Sequence, residues 1–407
     1  MRPKHKFRNR NMDISGNKPP WESAFFLTSP VMDETLSKKL GEITFTDEWT
    51  EINHDEINEI KKRIEPLEAN HSWETLKKKT NPYELVYTQE SLDSPQSISI
   101  LKPLSRSYFK MIEMLHVLKF FEKIPKTTQK LNSAHVAEGP GGFIEAFLDK
   151  ASDNRILVNR SFAMTLKPTN SHIPGWRRTF SFLQKHPEIK IHYGEDGTGN
   201  IYVPKNQQSF ASLCESQKVH LFTGDGGFDF SVDYEHQEKS VYPLLVASAI
   251  MGIQVLYSDG VLILKLFDIS SSATQLLLRL LTLCFKEWTL YKPSTSRPCN
   301  SERYLLCRGF RRTPSTTVLC NHITALQTQY TNGTSKYPKT DFFSFFTEKE
   351  REFLQSHMDT YTALQSKTLI ETISLQNQNP KEFSWKAHVE LAIKWCRLFR
   401  IPTQSRA

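Results

Sequence analysis

Gly260-Val-Leu-Ile-Leu-Lys-Leu-Phe267 is an apolar run interrupted near its end by a single ammonium. A short, unalternating run of this kind reads as a strand buried on both faces, as in the interior of a parallel sheet. Lysine at such a strand end is costly to bury, and its pKa is expected to fall towards that of a usable base. An isolated lysine would snorkel to solvent, but Lys265 has company. Two other apolar segments run into glycine-rich turns, Ala134-His-Val-Ala-Glu-Gly-Pro-Gly-Gly-Phe143 and Leu221-Phe-Thr-Gly-Asp-Gly-Gly-Phe228. Downstream lies Lys292-Pro-Ser-Thr-Ser-Arg-Pro-Cys-Asn-Ser-Glu-Arg-Tyr304. Together they predict one active-site edge.

Working outward, strand-like segments fall near 134–138, 161–166, 189–193, 218–224, 260–266, 288–292 and 303–308, with helical segments at 143–151, 239–248 and 272–285. This alternation predicts an α/β fold, an open sheet with parallel crossovers. The last two strands flank a Pro-rich turn and should form a hairpin, placing an antiparallel strand at a sheet edge. Tyr108, Met111, Ile112, Leu115 and Leu118 share one face of a helix between Ser105 and Lys123, with Lys110 off the stripe.

The flanks differ. Residues 1–20, with Arg2, Lys4, Lys6, Arg8 and Arg10, read as a basic disordered arm. Residues 21–104 read as a helical N-terminal extension, with helices at Asp55–Leu67 and Ser72–Lys79 and little sign of strands; Lys77-Lys78-Lys79 reads as a solvated face. The catalytic domain is expected over 105–312. A helical C-terminal extension should follow over 313–407, with helices at 348–357, 359–375 and 383–400, the last carrying a packing stripe of Trp385, Val389, Ala392, Cys396 and Phe399.

With 407 residues and a formal charge of +8, the chain can bury a large core and is biased towards a polyanionic partner, with nucleic acid leading. Six Cys without paired spacing predict no zinc site and no disulfide framework, which suits a reducing compartment. No apolar run of about 18 residues appears, so a membrane span and secretion are not expected, and the sequon Asn332-Gly-Thr334 reads as incidental.

Glu138-Gly139-Pro140-Gly141-Gly142-Phe143 forms a glycine-rich turn that lets backbone approach a ligand and opens a helix towards it. It is not a dinucleotide fingerprint, and Pro140 removes an N–H that a pyrophosphate would use. A zwitterionic cofactor such as S-adenosyl-L-methionine suits it better, although a purely structural turn would use the same glycines.

On these segments the chain resembles the FtsJ (RrmJ-like) family of ribose 2′-O-methyltransferases, in particular the branch acting on capped mRNA, over about 105–310. The resemblance implies a Rossmann-like methyltransferase sheet and a Lys-Asp-Lys-Glu tetrad. The first Lys lies in Ser105-Arg-Ser-Tyr-Phe-Lys110, the Asp in Asp225-Gly226-Gly227, the second Lys is Lys265, and the Glu is Glu302. A ribose hydroxyl is a very weak acid and needs a base as it attacks a sulfonium methyl. Lys265 is the expected general base, its pKa lowered by burial and by Lys110, with Asp225 and Glu302 orienting it. The resemblance also implies a cofactor site made of the 138–143 loop, Thr165 after the second strand, Asp196 and Asn200 after the third, and Asp225. Two departures stand out: His135 replaces an acid in the first strand, for which Glu138 is the expected substitute, and Asn200 stands where Asp is usual.

RNA is expected to cross Lys292, Ser294, Ser296 and Arg297, whose cations and hydroxyls suit phosphate; a simple Ser/Pro turn is the alternative reading. Trp21, Trp73, Trp176 and Phe180 are candidates for stacking on a cap base, against ordinary core roles. The Ser-Arg-Pro segment resembles enzymes of the first transcribed nucleotide, and the His135 and Gly-Thr-Gly features those of the second and of large DNA viruses. Ribosomal or transfer RNA methylation, and a catalytically silent RNA-binding subunit of a capping complex, remain as alternatives, with capping or transcription machinery as the implied partner.

Overall fold

Strands form where successive apolar residues serve two buried faces. Val261 and Ile263 pack into one core with Leu221, whereas Leu262 and Leu264 pack into another with Phe222 and Val136, so the 261–264 stretch of the central strand is apolar without alternation. The computed structural model describes residues 19–51, 55–69, 72–88, 95–169, 175–227, 237–331, 335–339, 342–377 and 383–404. The basic arm up to Lys18, Phe228 and the sequon Asn332–Thr334 lie outside the described residues.

The strands are β1 (Leu27–Thr28), β2 (Thr44–Thr46), β3 (Lys130–Val136), β4 (Leu157–Met164), β5 (Ile189–His192), β6 (Val219–Gly224), β7 (Leu256–Leu266), β8 (Phe285–Tyr291), β9 (Arg303–Phe310) and β10 (Tyr337–Lys339). Eight of them form one sheet in the order β1-β8-β9-β7-β6-β3-β4-β5. Neighbours from β7 to β5 are parallel, while β9 is antiparallel to both β7 and β8. The expected hairpin is present, and β9 inserts between β8 and β7. The main helices are α1 (Ser107–Val117), α2 (Gly142–Asp153), α3 (Pro204–Leu213), α4 (Gln237–Val255), α5 (Ser272–Leu283), α6 (Pro314–Thr331), α7 (Glu348–Ser374) and α8 (Lys386–Leu398). One core lies between the sheet and α4, α5 and α6; the other lies between the sheet and α1, α2 and α8.

Several local expectations change. The 105–123 helix breaks at Lys119, whose φ of 50° is left-handed, and resumes as a single turn at Phe120–Lys123. The 348–357 and 359–375 segments are one helix, α7, opened by a capping box between Thr347 and Glu350. The first extension contains strands after all: β1 adds to the sheet edge at β8, and β2 pairs with β10. Two and three residues are too few for a period-two pattern to register. Lys79 is buried, with its ammonium over the Phe383 ring, so the lysine triplet is not uniformly solvated. Ile57, Ile60, Ile64, Leu67, Trp73 and Leu76 pack against Leu369 and Ile373 of α7, so the two flanking regions share a third, small core.

Candidate active site

Strand order brings the tetrad together. β6, β7 and β9 are adjacent, with Gly224 opposite Leu264 and Lys265 opposite Tyr304. Asp225, just past β6, Lys265 near the end of β7, and Glu302, just before β9, therefore meet at one edge. α1 delivers Lys110 from outside the sheet. Its Nζ lies 2.6 Å from Glu302 Oε1 and donates to Oε2 at 2.9 Å. Lys265 Nζ donates to the Asp225 carbonyl at 2.9 Å and lies 3.3 Å from Asp225 Oδ1. Tyr304 donates to the same Oδ1 at 2.8 Å, and Ser296 donates to Glu302 Oε1 at 2.8 Å. The backbone leaves room for this: a Cβ on Gly227 would sit 3.1 Å from Lys265 Nζ, so glycine lets the ammonium reach Asp225.

Electrostatics correct one expectation. Burial, the largest single influence, acts to lower the Lys265 pKa, but Asp225, Glu302 and Glu138 together hold it above the ordinary lysine value. Burial likewise acts to raise Glu302, yet Lys110, Lys265 and Lys292 bring it down to about 2. Lys265 is thus a resting ammonium set among acids. The lysine whose pKa falls, to about 7 through burial, is Lys292. Geometry excludes Lys292 as the base, because its Nζ donates to Asn300 O, Asn300 Oδ1 and Glu302 O, each at 2.8 Å, inside the turn. It ties the turn to the backbone of Glu302.

The residues expected to face phosphate point inward. Ser294 donates through N (2.7 Å) and Oγ to the buried carboxylate of Glu113, Ser296 serves Glu302, and Arg297 donates to Glu84 at 3.0 and 3.1 Å. Lys292, Ser294 and Ser296 are buried. Donors of all four residues are engaged by the protein, which gives this turn an internal scaffold. Trp21 and Trp73 are core residues, Trp176 is nearly buried against the glycine loop, and Phe180 is exposed.

Sequence reading missed two buried acids that organise this turn. Glu84 accepts from Arg106 Nη1 (2.7 Å), from Nε and Nη2 of Arg297, from Asn81 (2.7 Å) and from Thr88 (3.2 Å). Burial acts to raise Glu84, but the two guanidinium groups hold it at about 2. Glu113, one turn beyond Lys110 on α1, accepts from Ser294, from the Tyr291 hydroxyl and from Trp395 Nε1 at 2.8 Å; burial pushes its pKa up against those donors. The available signal was a lone acid inside an apolar run, in Tyr83-Glu-Leu-Val-Tyr87 and Met111-Ile-Glu-Met-Leu115.

The predicted cofactor residues lie on neighbouring strand ends. Glu138, Gly139, Pro140 and Gly141 bridge β3 to α2, and Gly142 and Phe143 begin that helix. Ala137, just before them, is held at φ 56°, the kind of left-handed strain found around ligand sites. Glu138 accepts from Thr223, and its Oε2 lies 3.4 Å from His135 Nδ1 without a hydrogen-bond partner among the described residues. His135 bonds Thr223 at 2.7 Å and Ser133 at 2.8 Å. Gly199, at φ +70°, brings the loop after β5 against the β4 end, where a Cβ would meet Thr165 O at 2.0 Å. Asp196 Oδ1 accepts from Thr198 N (2.9 Å), Thr198 Oγ1 (2.7 Å) and Asn206 Nδ2 (2.9 Å), and Asn200 Oδ1 accepts from Tyr202 N (2.9 Å). Both side chains shape the loop they stand in.

A family model for FtsJ-like methyltransferases matches residues 103–310. Cap-specific mRNA (nucleoside-2′-O-)-methyltransferase 1 of Xenopus laevis is 31% identical over 252 residues, covering 57% of this chain and 27% of that protein. The corresponding methyltransferase 2 of Danio rerio is 30% identical over 210 residues, covering 51% and 28%. Methyltransferase 1 of Trypanosoma cruzi (strain CL Brener) is 31% identical over 215 residues, covering 52% and 58%. The match thus spans about a quarter of the length of the two vertebrate relatives. Half of this chain, including all four tetrad positions, falls within the family model, and the chain belongs to the FtsJ-like methyltransferase family.

Proposed function

We propose that the protein is an S-adenosyl-L-methionine-dependent RNA ribose 2′-O-methyltransferase acting on the cap-proximal nucleotide of mRNA, with Lys265 as general base. The observation that carries this reading is the pair of ion pairs, Lys110–Glu302 and Lys265–Asp225, converging at one strand-end edge with side chains 9–14% exposed. Ion pairs this close to full burial, yet still partly exposed, suit chemistry on a bound hydroxyl better than they suit a structural bridge. The cap assignment rests on the activity for which the relatives are named.

The residues present fit the cofactor. The strand-end loop lacks the N–H of Pro140 and carries, on Glu138, a carboxylate oxygen with no hydrogen-bond partner among the described residues, which suits an ammonium-bearing, non-phosphate ligand. Glu138 and the 139–143 loop would hold its amino-acid end, and Thr165, Asp196 and Asn200 line the neighbouring strand ends for the nucleoside. When bound, S-adenosyl-L-methionine supplies an electrophilic methyl group on a sulfonium.

Lys265 Nζ, once neutral, takes the 2′-hydroxyl proton. Asp225, itself oriented by Tyr304, fixes the position of that nitrogen, and Lys110 is held against Glu302 at the same edge. The resting ammonium of Lys265 must lose its proton before it can act. Lys110 and the positive charge of a bound cofactor both favour that loss. The test is transfer of labelled methyl to matched capped and uncapped RNAs, followed by nuclease mapping. Label on a cap-proximal ribose that disappears in Lys265→Ala is expected; label confined to uncapped RNA would replace the cap reading with a structural-RNA one.

A further inference from the structure

We propose that Glu84 is a positioning residue for methyl transfer: a carboxylate from outside the family-matched segment that holds Arg106 and Arg297 together and thereby sets the Lys110–Glu302 pair. This rests on the tetrad reading above.

Lys110 and Glu302 are separated by 192 residues, and only Glu302 stands next to the sheet, one residue before β9. Lys110 stands in the first turn of α1, and Glu302 ends a turn without regular structure between β8 and β9. Their contact requires α1 and the turn to keep one separation. Arg106, one helical turn before Lys110, reaches the turn directly, donating to Thr295 O at 3.1 Å, and reaches back to Tyr87 O at 3.0 Å. Arg297 lies on the turn itself. Two guanidinium groups this close repel each other, and Glu84 is the anion between them. It is fully buried, while the two arginine side chains are 24% and 23% exposed.

Each oxygen of Glu84 is occupied. Oε1 takes Arg106 Nη1, Arg297 Nη2 and Thr88, and Oε2 takes Arg297 Nε and Asn81 Nδ2. That geometry fixes both guanidinium planes rather than only neutralising them. With the charge removed, the arginines separate and the turn moves outward. Ser296 and Glu302 then move away from Lys110. Because misplacement by about 1 Å costs on the order of a hundredfold in rate, the effect should fall on transfer and leave cofactor binding, at the neighbouring ends of β3, β4 and β5, unchanged.

The test uses the full chain, labelled S-adenosyl-L-methionine and a short 5′-capped RNA under single turnover. Glu84→Gln is expected to slow transfer by roughly ten- to a hundredfold, with the Kd for S-adenosyl-L-methionine within about twofold. Arg297→Gln should give a similar loss, and the double variant should lose little more, because the two residues act as one unit. A Glu84→Gln protein that melts earlier yet transfers at the wild-type rate would reduce Glu84 to a stabilising residue and overturn the proposal, as would additive losses. If Glu84→Gln does not fold, Asn81→Leu, which removes only one donor to the carboxylate, should still slow transfer severalfold without changing cofactor affinity; an unchanged rate overturns the proposal. Wild-type protein that transfers to no RNA overturns the tetrad reading itself, an outcome distinct from one confined to the variants.

Discussion

The strand-end tetrad and the clamp around it use the same chemistry, carboxylates holding cations, but arrive at it by different routes. Asp225, Lys265 and Glu302 meet because three neighbouring strands end together, and their side chains keep 9–12% exposure. Glu84 and Glu113 are brought in by a short helical turn and by α1, tie those elements to the 292–302 turn and to α8, and are sealed at 0%. Sealed pairs confer geometry at a desolvation cost; pairs open on one side retain access to a substrate. If this distinction holds, substitutions in the tetrad should remove rate while sparing stability, and those in the clamp should disturb both.

The largest effect tests the open side. Lys265→Met should lower single-turnover methyl transfer by about a hundred- to ten-thousandfold, the range a general base supplies, with cofactor affinity changed by no more than a few-fold. A smaller loss would move the base elsewhere.

The pH profile sharpens the same point. The Lys265 pKa is raised above its ordinary value, so the neutral amine is scarce at pH 7 and grows about tenfold per pH unit below that pKa. Plotted for the free enzyme, kcat/KM should rise with unit slope from pH 7 to beyond pH 9. A plateau near pH 7 would point to Lys292, whose pKa is about 7, and would reverse the assignment made from its three buried hydrogen bonds.

Lys292 offers a third break between rate and stability. Its folded pKa lies below that of an unfolded lysine, so between about pH 7 and 10 the unfolded state binds more protons and stability rises with pH. Denaturant titrations should show wild type gaining on Lys292→Met by about 1 kcal/mol or more between pH 7 and 9. A difference that shrinks over that window would mean Lys292 is an ordinary charged lysine.

How much was legible follows the same division. Gly260–Phe267 and the two glycine turns announced themselves because doubly buried strands are continuously apolar and a charge at their end is conspicuous. That placed the sheet and its hairpin, whereas the four tetrad positions came from the resemblance to the FtsJ-like family. The sign of the Lys265 shift was not legible, because it depends on three acids, Asp225, Glu302 and Glu138, that come from separate segments. Nor were the partners of Ser294, Ser296 and Arg297: a polar turn reads as solvent-facing until the acids that receive it are known. β1 escaped because two residues carry no period. Glu84 and Glu113 did leave a trace, as single acids in apolar surroundings, but the donors that receive them lie up to 282 residues away.

The smallest expected effect asks whether the C-terminal helix reaches the chemistry. Trp395→Phe removes the indole N–H that Glu113 accepts and keeps most of the ring packing against Phe399 and Phe109. Tyr291 and Ser294 still serve Glu113, so the lost bond should cost about 1–3 kcal/mol of stability and slow transfer about two- to threefold by loosening Ser294. Phe399→Leu is the control. Phe399 packs on Trp395 and Trp21, so its truncation should cost a similar amount of stability while leaving the Glu113–Ser294 bonds intact. Slower transfer in Trp395→Phe alone would trace the influence of α8 through the Glu113 carboxylate, whereas equal slowing in both would assign it to packing.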